Sequence, residues 1–527
     1  MTEPSPAPTA SLFADLEPTP AAHFRVHLYG AILRLLLYLA ERHETFEDVL
    51  KQHPFLTGYH DELATRLSGL AGGEAFDRWC QDLGDWESTS TVHLPLRSVR
   101  EAAGLGFAEV FWLMMVGLPD EDASFGELFE SLQGIPGQRR PTFSLLRRCG
   151  HADPALDLSA SLLARWRELG LLQVLNPEAA RSDWALQIPA PLWDALAGHP
   201  QGIPEGFRFR RETDLPERDQ LILPDDLARA VQSLPELLRS GEIRALVVRG
   251  PAHNGRHALV GAVARASGRS VLEVDEGSRL DPERWRLLAT LALATRALPV
   301  VTFDLGPGEV GALPDGWLPE LPLAVILGPH GGISGSLVAS SLTLSLPTPG
   351  LAARELHWRR CLTPEEGDRA AIFASALRLG SGNLRRVARL ARNRARLAGR
   401  ETLELADLVE SARSLNREAL DSLARPIPPG GDLEQLQVAD STWSELEHLE
   451  QRCRHRERLP DRLQGAPGGG PGCGVRALFT GPSGTGKTLA ARLLAGRLGK
   501  DLYRLDLSAV VNKYIGETEK NLNRAFT

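Results

Sequence analysis

The spacing of apolar and polar residues changes character along the chain. From 12 to 84 apolar positions recur at helical intervals. The most apolar stretch, 24–40, is interrupted by Arg25, His27 and Arg34, so it predicts a buried or amphipathic helix rather than a bilayer span. Between 91 and 198 the pattern predicts helices over 97–103 and 107–116. Ser124-Phe125-Gly126-Glu127 has the form of a capping box opening a third helix. A helix over 162–169 stops at Gly170, and two β-like runs follow, 171–175 and 184–188, joined by a polar loop with Pro177. A helix followed by a hairpin is the order of a winged helix.

A charged connector over 204–224 leads into alternating strands and helices: β-type runs at 245–249, 270–275, 298–304 and 321–327, with a helix that stops at Gly268. The pattern is helical again from 351 to 424. Two Pro/Gly-rich runs, 426–431 and 465–472, have linker chemistry. A strand is then expected at 476–480, a helix over 489–498 closed by Gly499, and a β-type run at 501–506. The expected fold class is multidomain α/β. Its parts are a tail (1–11), a helical segment (12–90), a winged-helix-like domain (91–200), a linker (201–220), an α/β module (221–345), a helical lid (346–424), a second linker (425–474) and the N-terminal part of a second α/β module (475–527).

Composition narrows the function. The 527 residues are 43% hydrophobic and 24% charged, with a net charge of −8, which gives no general attraction to nucleic acid or anionic lipid. Cys80, Cys149, Cys361, Cys453 and Cys473 are scattered and show no CxxC spacing, so neither a disulfide framework nor a zinc site is indicated. Residues 1–10 lack the basic-then-apolar order of a signal peptide, and a cytoplasmic location is expected. In the winged-helix-like segment, 91–200, nine Arg and Lys face thirteen Asp and Glu. Phosphate binding needs the opposite balance, so this segment is expected to contact protein rather than DNA.

The chemistry is concentrated in Gly481-Pro482-Ser483-Gly484-Thr485-Gly486-Lys487-Thr488. Strand, G-x-x-x-x-G-K-T and helix in that order form the context of a phosphate-binding P-loop. The glycines let the backbone wrap a phosphate, and the N–H groups at the helix start point at it. Lys487 supplies a charge for the β- and γ-phosphates, and Thr488 a hydroxyl ligand for Mg²⁺. ATP and Mg²⁺ are the expected cofactors.

The same layout occurs earlier. Gly250-Pro251-Ala252-His253-Asn254-Gly255-Arg256-His257 follows a strand and opens a helix. Gly250 to Gly268 spans 18 positions, as does Gly481 to Gly499; Gly250 to Asp275 spans 25, as does Gly481 to Asp506. The two segments read as copies of one βαβ beginning. In the first copy Arg256 stands at the lysine position and His257 at the threonine position. Arg is not a compact substitute for the P-loop lysine, and His is a poor ligand for hard Mg²⁺. The run at 298–304 ends in Asp304, as a Walker B strand would, but Leu305 follows where a catalytic carboxylate is needed. Gly250, Gly255, Arg256, His257 and Asp304 thus form a degenerate site. The six arginines of 385–396 read as a solvated helix face.

Lys513-Tyr514-Ile515-Gly516-Glu517-Thr518-Glu519-Lys520 lies soon after the second β-run. With the P-loop before it, this stretch resembles pore loop 1 of AAA remodelling ATPases. The whole layout is similar to tandem bacterial AAA proteins with a winged-helix-like N-terminal region, a degenerate first module and an active second one. Some of these accompany extracellular contractile injection systems. The resemblance implies a homo-hexameric ring whose channel loops, here Lys513, Tyr514, Ile515 and Gly516, grip a protein substrate, with no membrane partner. It also implies that the two strands flanking the P-loop helix are not neighbours in the finished sheet. Asp304 lies 54 positions after Gly250, and the equivalent of 481 plus 54 is 535, beyond Thr527. The Walker B acid is therefore expected outside this sequence, no catalytic residue is assigned within it, and hydrolysis is assigned to a longer parent protein. Two other readings fit the sequence: an ATP-binding scaffold that recruits partners through its N-terminal region, and a DNA-associated ATPase of the helicase-loader type.

Overall fold

The computed structural model describes residues 11–42, 46–67, 69–70, 72–150, 159–200, 202–275, 277–420, 424–428, 430, 436–455 and 475–505. Contacts divide the chain into two units, 1–348 and 349–527.

The first unit begins with helices α1 (Pro20–Ala40), α2 (Phe46–Gln52), α3 (Leu56–Leu67) and α4 (Gly72–Thr89). α1 is buried along most of its circumference, because α3, α4 and α6 (Phe107–Glu121) all pack on it. α1 and α6 approach closely at Gly30, where a Cβ would lie 2.4 Å from the Phe111 ring. Helices α5 (Pro95–Ala103), α7 (Ala123–Gln133), α8 (Phe143–Gly150) and α9 (Ala160–Glu168) follow. The third helix of this region starts two residues earlier than its sequence suggests. Its N-cap is Asp122, whose carboxylate accepts from the Ser124 N–H at 2.9 Å, so the capping box expected at Ser124–Glu127 is not the cap in use. After α9, Gly170 turns with φ of 73°. The hairpin is reduced to β1 (Gln173–Val174) and β2 (Leu186–Gln187), paired antiparallel, and α10 (Ala190–Leu196) follows.

The segment expected as a connector, 201–220, is not only a connector. It supplies β3 (Phe207–Arg210), an antiparallel edge strand on β5 (Ser270–Val274). The remaining strands are β4 (Ala245–Arg249), β6 (Ala297–Phe303), β8 (Leu323–Leu327) and β10 (Ser341–Ser345). Sheet order is β10-β4-β8-β6-β5-β3, and all neighbours except β3 are parallel. A short pair, β7 (Val310–Ala312) and β9 (Gly332–Ser334), stands apart.

Strand alternation sets the two faces of this sheet. Ala245, Val247, Leu272, Val301, Val325 and Leu327 face the side of α13 (Pro282–Ala294), which also packs on α5 and α10. The apolar core on that side runs without a break into the N-terminal helices, from Phe13 to Leu337. Leu246, Val248, Val271, Val300 and Ile326 face α11 (Asp225–Arg239) and α12 (Arg256–Ala266). Both faces are covered, which is why these strands read as continuous apolar runs.

The second unit contains α14 (Leu351–Cys361), α15 (Ala370–Ala376), α16 (Ser381–Leu397) and α17 (Leu405–Leu420), around Trp358, Phe373, Leu384, Val387 and Leu408. On α16, Arg392 is not merely solvated: it donates to buried Glu366 at 2.8 Å. Burial opposes the Glu366 charge, but Arg392 and the N–H groups of Leu403 and Thr363 hold its pKa at about 2.

Beyond α17, the segment 425–474 departs from the expectation of a linker. It holds β11 (Ala424–Ile427), which begins one residue before it, and α18 (Asp440–His455). Leu446 of α18 packs against Ala490 and Leu493 of α19 (Lys487–Arg497), and buried Glu450 pairs with Arg497 at 3.2 Å. The strand expected at 476–480 is also absent. Leu478 is 88% exposed, and no strand among the described residues lies beside this stretch to satisfy its backbone. β12 (Leu502–Leu505) instead pairs antiparallel with β11.

Candidate functional site

The degenerate loop is built into its sheet. Gly250 follows β4, and a Cβ there would meet the Leu346 carbonyl oxygen at 2.5 Å, so only glycine fits. Asn254, 3% exposed, donates through Nδ2 to the carbonyls of Leu346 at 3.0 Å and Pro347 at 2.6 Å, tying the loop to the end of β10. Gly255 caps α12 at φ of 89°. Arg256 opens the helix, and its buried guanidinium donates to the Leu327 carbonyl at the end of β8. Burial lowers the Arg256 pKa, and the charge of Asp304 acts against that shift.

His257 is directed at the sheet as well. Its Nε2 lies 2.8 Å from Oε1 of Glu273, a carboxylate that is 2% exposed on β5. Burial works against the Glu273 charge, but His257, Arg210 and Arg208 hold its pKa below the usual carboxylate value. The two side chains at the lysine and threonine positions therefore tie the loop to the sheet, Arg256 buried and His257 half-exposed.

The loop at 481–488 has the same backbone. Gly481, Gly484 and Gly486 have φ of 144°, 83° and 84°, against 156°, 56° and 89° for Gly250, His253 and Gly255. These angles suit glycine at no steric cost; His253 adopts one as a non-glycine residue. α19 begins six positions after Gly481, as α12 does after Gly250. The side chains differ. Lys487 donates to the loop carbonyls of Gly481 at 2.8 Å and Pro482 at 2.5 Å. Thr485 Oγ1 donates to the Pro482 carbonyl at 3.0 Å, Ser483 is exposed, and so is Thr488. An ammonium, an exposed hydroxyl and a glycine-lined helix start form a donor set that suits a polyphosphate with Mg²⁺. The channel residues Lys513, Tyr514, Ile515 and Gly516, and Asp506, lie outside the described residues.

Two contacts, one beside this loop and one at the opposite end of its helix, escaped the sequence reading. Leu436 Cδ1 lies 3.6 Å from where a Cβ on Gly486 would sit, which puts an apolar side chain beside the loop. Arg413 of α17 donates to the Gly499 carbonyl at the far end of α19. A third unforeseen cluster lies in the first unit. His23 and His27, one turn apart on α1, both point Nε2 at Glu87 Oε1, at 2.7 and 3.1 Å, and Arg100 holds the other carboxylate oxygen at 2.8 Å. Burial pushes the His27 pKa down to about 4. Both Nδ1 atoms lack partners, whereas a metal-bound histidine normally donates its second ring N–H, so this set suits a buried histidine–carboxylate contact rather than a metal site.

Residues 477–527 match the family model described as "ATPase family associated with various cellular activities (AAA)". The chain is similar to an uncharacterized AAA family ATPase, y4kL, of Sinorhizobium fredii, 43% identical over 51 residues, which is 10% of this chain and 16% of that protein. It is also similar to the peroxisomal ATPase PEX6 of Komagataella pastoris, 27% identical over 121 residues, 23% of this chain and 10% of that protein. The chain thus covers less than a fifth of the length of these relatives. Among solved structures, the FIGL-1 AAA domain matches at 12% identity, covering 40% of this chain and 86% of that one, with a TM-score of 0.28. The stretch that carries the loop 481–488 is thus the part of the chain that is similar to AAA ATPases.

Proposed function

We propose that this chain belongs to a tandem AAA-type ATPase whose loop 481–488 binds Mg²⁺·ATP and whose first module, 221–345, is a nucleotide-silent copy. The observation that carries this reading is the pairing register. Counted from the first loop glycine, β3 pairs with positions 24 to 21 of the first copy, Phe207↔Val274 to Arg210↔Val271. β11 pairs with positions 24 to 21 of the second, Ala424↔Leu505 to Ile427↔Leu502. A shared edge strand in one register, a helix before the loop and a loop of one backbone shape support two copies of one unit. The separation of β4 from β5 by β8 and β6 supports the view that the strands flanking a P-loop helix are not sheet neighbours.

In this reading Lys487 contacts the β- and γ-phosphates, Thr488 binds Mg²⁺, and Leu436 offers an apolar wall beside the loop. ATP supplies the free energy, and Tyr514 and Ile515 grip a protein partner in a cytoplasmic hexameric ring. The winged-helix-like segment recruits protein. Titration calorimetry tests the binding step. One Mg²⁺·ATP per chain is expected, with affinity weakened at least tenfold by Thr488→Ala or by removing Mg²⁺. A stoichiometry of two, or no heat of binding, would overturn the reading. Tyr514→Ala should keep ATP binding and abolish work on a protein partner.

A further inference from the structure

The far end of α19 is held by the helical segment that precedes it. Arg413, on α17, donates to the Gly499 carbonyl, just past the C-cap of α19. Its Nε also lies 3.9 Å from the Asp501 carboxylate, and Glu410 flanks the guanidinium at 3.8 Å. A helix C-terminus carries partial negative charge, so a cation at this carbonyl is favourably placed. Further along the same chain, β11 pairs residue for residue with β12, which follows α19. Helix and strand of the preceding segment therefore grip the helix end and the strand of the loop segment at two places. Arg413 itself stands on a firm base: Arg394 of α16 reaches Ser414 at 3.5 Å, and Ala412 and Leu408 enter the Trp358 core.

The loop 481–488 lies at the opposite end of α19, about 16 Å away for an 11-residue helix. A helix of this length is stiff, so fixing one end fixes the direction of the other. We propose that Arg413 is a positioning residue of the nucleotide loop, acting through α19. Segment 351–420 is then an arm whose displacement changes the presentation of Lys487 and Thr488. This rests on the reading of loop 481–488 as a nucleotide site. The half-exposed contact is a weak source of stability by itself, so the effect falls on orientation rather than on unfolding.

The test uses the whole chain with Arg413→Ala and Arg413→Lys, read by affinity for a fluorescent ATP analogue with Mg²⁺ and by amide exchange without nucleotide. In Arg413→Ala, affinity should fall about fivefold and exchange at 499–505 should accelerate, with the unfolding midpoint unchanged. Arg413→Lys keeps a charged donor and should restore both. If either affinity or local exchange stays at the parent value in Arg413→Ala, or if Lys fails to rescue, the proposal is overturned. If the parent chain binds no nucleotide, the reading of the loop fails instead, while exchange at 499–505 still decides whether Arg413 holds β12.

Discussion

The loops at 250–257 and 481–488 share a backbone and differ in what their side chains do. Both turn through left-handed residues at the first, fourth and sixth positions, and both open an 11-residue helix. In the first, buried Asn254 and Arg256 bond the carbonyls of Leu346, Pro347 and Leu327, and half-exposed His257 pairs with Glu273. In the second, among the described residues, Lys487 and Thr485 bond their own loop, and Thr488 is exposed. Loop shape is thus set by the pattern of left-handed positions, whereas chemistry is set by two side chains. At the equivalent position, the long planar guanidinium of Arg256 reaches the sheet, whereas the Lys487 ammonium stays on its own loop.

The largest expected effect tests that division directly. Lys487→Ala should lower ATP affinity at least a hundredfold, because it removes the only cation in its loop. Arg256→Ala should leave affinity within twofold. Titration of both variants with the same fluorescent nucleotide checks this, and equal losses would break the contrast between a live and a silent loop.

Stability should show the reverse order. Arg256→Ala removes a buried charge-assisted bond and leaves the Leu327 carbonyl with only the longer bond from the Gly250 N–H at 3.3 Å, at an expected cost of roughly 1–3 kcal/mol. Lys487→Ala touches only loop carbonyls and should cost well under roughly 1 kcal/mol. Urea unfolding of the two variants provides the comparison. If Lys487→Ala proves the more destabilising, the assignment of anchor and ligand side chains is reversed.

The two loops were legible in the sequence to different depths. Fixed glycine spacing and the strand-loop-helix order exposed both, because a left-handed turn leaves few residue choices. The strands at 298–304 and 321–327 were legible as buried apolar runs, since both sheet faces are covered. The edge strands were not. Phe207–Arg210 reads Phe-Arg-Phe-Arg and Ala424–Ile427 contains Pro426; such short runs become strands only because β5 and β12 offer pairing partners. α18 was hidden between two Pro/Gly-rich runs, although Trp443 and Leu446 carry a helical stripe. Arg413 and Leu436 were illegible for a further reason. Each serves the loop from a distant part of the chain, and spacing along a sequence does not report contacts of that kind.

The smallest expected effect concerns acid. Glu273 is ionised and buried, and His257, Arg210 and Arg208 keep its pKa below the ordinary value of 4.5. A carboxylate with a depressed native pKa contributes stability that is present above its unfolded pKa and is lost as pH falls through the native one. His257→Ala removes the nearest of these partners and, because the imidazole is 40% exposed and solvent screens it, should cost only roughly 0.5–1 kcal/mol at pH 7. That difference should shrink as pH falls below 4.5, where protonation of Glu273 makes the partner unnecessary. The loop at 481–488 has no such buried carboxylate among the described residues, so Thr488→Ala, the equivalent substitution, should show no pH-dependent stability difference. Urea midpoints of both variants and the parent chain between pH 7 and pH 4 measure this. A His257→Ala penalty that stays constant to pH 4 would mean that the Glu273 contact does not hold the silent loop, and the anchoring half of the comparison would then rest on Asn254 and Arg256.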